Sequence, residues 1–149
     1  MNYNIERFIE PHELYYPVAL MEIKYGHKRS HWMWYIFPQL KGLGYSSKSE
    51  YYGLTGVEEV KQYMNNDYLK NNMYKICEEL LKLDDNIDNI FGYPDNLKLK
   101  SSMTLFEYAI PFSAPLSNTS GILSATWLSF TFLYLLILKS CPCSSKSFS

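Results

Sequence analysis

Asp67-Tyr68-Leu69-Lys70-Asn71-Asn72-Met73-Tyr74-Lys75-Ile76-Cys77-Glu78-Glu79-Leu80-Leu81-Lys82-Leu83 is the stretch that decides the fold class. Leu69, Met73, Ile76, Leu80 and Leu83 recur at alternating steps of four and three, which puts them on one face of an α-helix. A half-buried strand would alternate at every second residue instead. Asp67 stands where a helix N-cap belongs. On the C-terminal side, Asp84–Asn89 is polar, with Ile87, Ile90 and Phe91 turning inward, and Gly92-Tyr93-Pro94-Asp95 reads as a turn. Asp95 or Asn96 then caps a further helix through about Ala109, with Leu99, Ser102, Met103 and Phe106 on one face.

Toward the N-terminus the same signals repeat. Thr55 followed by Glu58 has the form of a capping box and predicts a helix to about Met64. Lys41–Gly53 is rich in glycine and serine and reads as loop. Ser30 is expected to cap a short helix, His31–Phe37, which Pro38 closes by disfavouring helix at Phe37. Leu14, Val18, Met21 and Tyr25 have helical spacing and are expected to face the core, with Pro17 kinking that helix and Gly26 ending it. A first helix over Tyr3–Ile9 is expected to end at Pro11, which can then open the next helix. No alternating pattern of comparable length occurs, so the chain reads as all-α: a compact multihelical single domain with an atypical hydrophobic C-terminal segment.

The 149 residues suffice for one hydrophobic core, and a hydrophobic share of 47 % places the chain among folded proteins. A net charge of −1 supplies no field to recruit nucleic acid, and none is expected as a partner. Cys77, Cys141 and Cys143 are too few for a disulfide framework, and Cys77 reads as a small core residue. The opening MNYNIERFIE has no apolar run, so a cytoplasmic location is expected.

Two segments concentrate chemistry. In Lys28–Gln39, Lys28 and Ser30 precede a helix start, where free N–H groups favour an anion. His31 is the candidate acid or base. Trp32 and Trp34 offer flat faces for a ring, and Gln39 can orient a water or a sugar hydroxyl. In Asp95–Phe106, Asp95 has the same orienting capacity, and Lys98, Ser101 and Ser102 form a cation–hydroxyl cluster suited to phosphate or carboxylate. The plainer readings are that the aromatic run is a core helix, that the serines allow close helix packing, and that the lysines are solvated. Glu58-Glu59 and Glu78-Glu79 read as solvated helix faces. His12, His27 and His31 have no metal-ligand spacing with the cysteines, and neither a metal nor a cofactor is expected. There is no nucleophile-elbow, P-loop or dinucleotide motif.

Ser30-His31-Trp32-Met33-Trp34-Tyr35-Ile36-Phe37-Pro38-Gln39, Gly42-Leu43-Gly44, Phe91-Gly92 to Asp95, and Lys98-Leu99-Lys100-Ser101-Ser102-Met103-Thr104-Leu105-Phe106 together resemble the domain-of-unknown-function 1810 family. That family is small, largely bacterial and often mislabelled as calpastatin. The likeness runs from about Arg7 to Glu107. It implies an all-helical domain and carries over no catalytic residue.

Composition changes after this region. Residues 1–107 have a net charge of −3 and residues 108–149 of +2, with no charge between Glu107 and Lys139. The chain therefore divides into a helical domain over 1–109 and a Ser/Leu/Phe-rich tail over 110–149. Three readings of the tail stand: a shifted reading frame or mis-spliced gene, a buried replacement helix, or a membrane anchor over residues 121–138. On function, one reading is binding, with or without turnover, of a small anionic aromatic ligand such as a nucleotide or an ADP-ribose-like compound. The other is a non-enzymatic protein-interaction module whose aromatic helix is core.

Overall fold

The computed structural model describes residues 2–110; Met1 and the tail, with all three of its readings, lie outside them. A 3-10 turn over Ile5–Phe8 leads into α1 (Ile9–Lys24), followed by α2 (Met33–Ile36), α3 (Ser47–Tyr52), α4 (Val57–Asn65), α5 (Asp67–Leu81), α6 (Ile87–Phe91) and α7 (Asp95–Ala109). The described residues contain no sheet; one isolated bridge joins Leu40 and Leu54. None of their helices is long and apolar enough to cross a membrane.

Pro11 does not end a first helix. It sits in the first turn of α1, where a missing N–H costs nothing, so the 3-10 turn and α1 run on without a break. α1 ends as expected: Gly26 has a φ of 71°, a left-handed conformation that suits glycine, and its N–H donates to the Ile23 carbonyl. The expected buried face of α1 is the wrong one. His12, Tyr16, Ala19 and Ile23 go inward on the side of α1 that packs on α5, while Leu14 is 61 % exposed and Met21 52 % exposed. α1 is apolar on both sides, so periodicity alone does not choose between them.

α5 behaves as its stripe predicts. Leu69, Met73, Ile76 and Leu80 are buried, Cys77 is buried with a free thiol, and Leu83 lies half-buried beyond the helix end. Asn66, not Asp67, provides the cap, accepting from the Leu69 N–H at 3.2 Å. The capping pair before α4 is displaced by one residue. Gly56 is the N-cap, and Glu59 reaches back to the Thr55 N–H (2.7 Å) and hydroxyl (2.8 Å). Glu59 is therefore no solvated residue. It is buried and ion-paired with Arg7 at 2.8 Å, tying the N-terminal turn to α4. The expected loop at 41–53 contains α3, capped by the Ser46 side chain.

Candidate functional site

The two chemistry-bearing segments do meet, and a carboxylate outside both of them organises the meeting. Glu22, in the last turn of α1, is buried and aims its carboxylate at the loop that follows. It accepts from the Arg29 N–H (2.8 Å), the Ser30 N–H (3.0 Å), the Ser30 hydroxyl and the Trp32 indole N–H (2.8 Å). Burial alone would raise its pKa. Those donors outweigh burial and pull the Glu22 carboxyl down to about 2.

Ser30 is thus a donor to Glu22 and not a helix cap. α2 begins at Met33, with Trp32 as its N-cap residue and no side-chain cap. Trp32 is fully buried. The Lys28 ammonium, its side chain 5 % exposed, is closed in by three partners: the Asp95 carboxylate, the Ser30 carbonyl at 2.6 Å and the Trp32 ring face at 4.8 Å. Asp95 also accepts from Lys98 at 2.8 Å. Burial pushes the Asp95 carboxyl up, but the two lysines hold it below the usual carboxylate range.

A second staple lies deeper. The Ser102 hydroxyl donates to the Pro38 carbonyl at 2.8 Å, both residues being buried, and so joins α7 to the end of the aromatic segment. Next to it, Gln39 is buried with its side-chain amide nitrogen unpartnered, while its backbone carbonyl accepts from the Leu54 N–H at 2.8 Å. Trp34 is half-buried and packs under Gly44, where a Cβ would fall 2.8 Å from the Ser49 Cβ and 3.0 Å from the Trp34 ring. Ser101 is half-buried, and His31 is exposed.

Lys28, Ser30, Trp32, Asp95 and Lys98 are thus brought together as packed, mutually bonded parts of one junction, and Ser102 joins the same two segments separately through Pro38. His31, Trp34 and Ser101 keep accessible surface beside it. The water-accessible space at the junction lies on the α1 side: a hollow of about 490 Å³ lined by Met21, Glu22, Tyr25, His27 and Arg29. Its volume is in the range of small-ligand pockets. It offers the Arg29 guanidinium and the His27 ring, with Tyr25, two residues before His27, 83 % exposed. A larger hollow of about 630 Å³, bounded by Asn2, Tyr3, Glu6, Gln62, Asn65 and their neighbours, carries amides and a carboxylate but no cation. It does not suit an anion. Sequence reading missed Glu22, Tyr25 and His27; Arg29 lies in its first segment, as the second cation beside Lys28. A Glu within the otherwise apolar run Val18–Ile23, seven residues before Arg29, is the one signal that a buried carboxylate had to find donors nearby.

Among the described residues, no group of three or more His, Cys, Asp or Glu side chains is placed to hold a metal ion. The family model described as "Protein of unknown function (DUF1810)" matches residues 2–123. The crystal structure of the conserved hypothetical protein Rv1873 from Mycobacterium tuberculosis is similar with a TM-score of 0.78 and 32 % identity, over 93 % of this chain and 90 % of that one. No curated protein matches the sequence.

Proposed function

The chain belongs to the DUF1810 family of proteins of unknown function, and from that premise we propose that it binds a small anionic aromatic ligand, such as a nucleotide or an ADP-ribose-like compound, in the hollow at the end of α1. The observation that carries this reading is the composition of that hollow: a guanidinium, an imidazole and an exposed tyrosine ring around about 490 Å³. Arg29 takes a phosphate through paired N–H donors, His27 adds a donor, and the aromatic ring of the ligand stacks on Tyr25. Glu22 would repel an anion if its oxygens faced the ligand, but they are occupied by the backbone and side chains of the loop. Lys28, Asp95 and Lys98 hold that loop against α7, and Ser30 and Trp32 hold it to α1, so these residues position the site and do not touch the ligand.

A thermal-shift series with AMP, ADP and ADP-ribose tests the reading. Stabilisation by at least one of them is expected, with affinity falling about ten- to a hundredfold in Arg29→Ala, the loss of a charged hydrogen bond. Both Arg29 and Tyr25 are exposed, so their variants fold, and a shift unchanged in Arg29→Ala and Tyr25→Ala would remove the site from this hollow. His31, exposed two residues beyond Arg29 in the chain but not among the residues lining the hollow, is the acid–base candidate for turnover, and His31→Ala should leave binding unchanged.

The second reading, an interaction module, is favoured by a different observation. Tyr15 stacks on Tyr35 at 5.2 Å, Tyr35 meets Tyr52 edge-on at 4.8 Å, and Tyr52 meets Tyr51 at 4.9 Å. Tyr15 and Tyr51 at the outer ends of this series are exposed, while Met33, Tyr35 and Ile36 of α2 are core.

A further inference from the structure

The outward side of α1 has an order that the interior does not require. Glu10, Leu14, Pro17, Met21 and Lys24 follow one another at steps of four, three, four and three, the spacing of a helix–helix seam, and all five are exposed. Half-exposed Val18 flanks them. Read from either end, the row runs charge, apolar, proline, apolar, opposite charge. A row of this kind is complementary to itself under a twofold rotation centred near Pro17. An antiparallel pair of α1 helices would set Leu14 against Met21 of the second copy, and Glu10 against its Lys24, twice over.

We propose that the outer face of α1 is a self-association surface, and that its occupant is a second copy of this chain in twofold antiparallel register. The charge order carries the choice of occupant. A lipid surface would gain nothing from an acid at one end of the row and a base at the other, whereas a second copy inverts that order and satisfies both ends. The neighbouring acid on α5, Glu79, does not compete strongly for Lys24, because it is bound by Lys82 at 2.7 Å. Leu14 and Met21 have more than half their surface exposed, a cost in water that pairing removes. The row is short, well below the roughly 800 Å² per partner of a standard interface, so the pair dissociates readily. It ends before Tyr25, leaving that ring at the ligand hollow; Met21 is shared between the two surfaces. The inference does not depend on the ligand reading.

Sedimentation velocity on the full chain from about 1 to about 500 µM, the range that suits a small interface, tests the proposal. A monomer–dimer equilibrium is expected. Glu10→Lys and Lys24→Glu each place like charges opposite one another at two points and should weaken the dimer about three- to tenfold. The double variant Glu10→Lys/Lys24→Glu restores opposite charges and should recover the parent dissociation constant, which a general surface effect would not do. Leu14→Glu should abolish dimers, with an unchanged circular dichroism spectrum showing that the fold is intact. A monomer at every concentration overturns the proposal. So does a dimer indifferent to these substitutions, and so do single reversals that the double variant does not rescue.

Discussion

His12 is fully buried on the inward side of α1, and its two ring nitrogens are committed in opposite senses. Nε2 faces the Tyr35 carbonyl at 2.9 Å, which only accepts, so Nε2 carries the proton. Nδ1 then accepts from the Asn72 amide at 3.2 Å, and the Tyr63 hydroxyl oxygen lies 3.3 Å from Nε2, within reach of the same proton. One neutral ring therefore joins α1, α2, α4 and α5. Burial lowers its pKa from 6.5 to about 4, with the Tyr35 carbonyl opposing that shift. The sign follows directly. Between pH 6.5 and 4 the unfolded chain binds a proton that the folded chain refuses, so His12 favours folding fully above about 6.5 and progressively less down to about 4. About 3 kcal/mol of stability is expected to disappear across that window. Urea unfolding at stepped pH should show this slope, and His12→Gln should flatten it. Proton NMR supplies a check that needs no variant: the His12 ring signals of the folded chain should not titrate above about pH 5.

At the scale of elements, the junction of the aromatic segment with α7 rests on one internal bond and one ion-pair set. Ser102 presents its hydroxyl to Pro38, whose carbonyl no helix satisfies because α2 has already ended. Ser102→Ala leaves that carbonyl buried and unpaired and should cost roughly 1–3 kcal/mol in denaturant stability. A loss below about 0.5 kcal/mol would mean that water or a relaxed backbone replaces the hydroxyl. Serine here does two things that the sequence reading kept apart. Its small side chain allows α7 to approach, and its hydroxyl then closes the contact. The helices read best from sequence, α5 and α7, are those with one apolar face. α3 has no signature in the sequence, because its six residues, Ser47–Tyr52, contain no apolar repeat; in the fold they bury only Ser49. It exists through its Ser46 cap and its packing on α2.

Across the described residues, ionised carboxylates are held in buried or half-buried positions at two places: Glu22 and Asp95 on either side of the junction after α1, and Glu59 against Arg7. Burial opposes the charge in each case, and hydrogen bonds or ion pairs outweigh it, so all three pKa values lie below those of free carboxylates. Their contribution is present above about pH 4.5 and falls as pH drops toward about 2, the value for Glu22. Acid unfolding is therefore expected in two stages, a decline through His12 followed by a steeper one as the carboxylates protonate. Glu22→Gln should move the second stage to lower pH relative to its own plateau. An unchanged midpoint would place the acid sensitivity elsewhere.

By itself the sequence determined the helical class, the inward stripe of α5, the inward face of α7, the close of α2 before Pro38 and the resemblance of both segments to their family. Each of these follows from local periodicity, from a backbone restriction such as proline imposes, or from motifs read along the chain. The tertiary structure alone decided which side of α1 is core, because both sides are apolar and only contact with α5 distinguishes them. It alone decided that Lys28, Ser30 and Ser102 are spent on internal partners, and that Glu22 holds the loop and borders the hollow beside it. A buried charge must find donors, and which donors lie within reach depends on how the chain returns to itself.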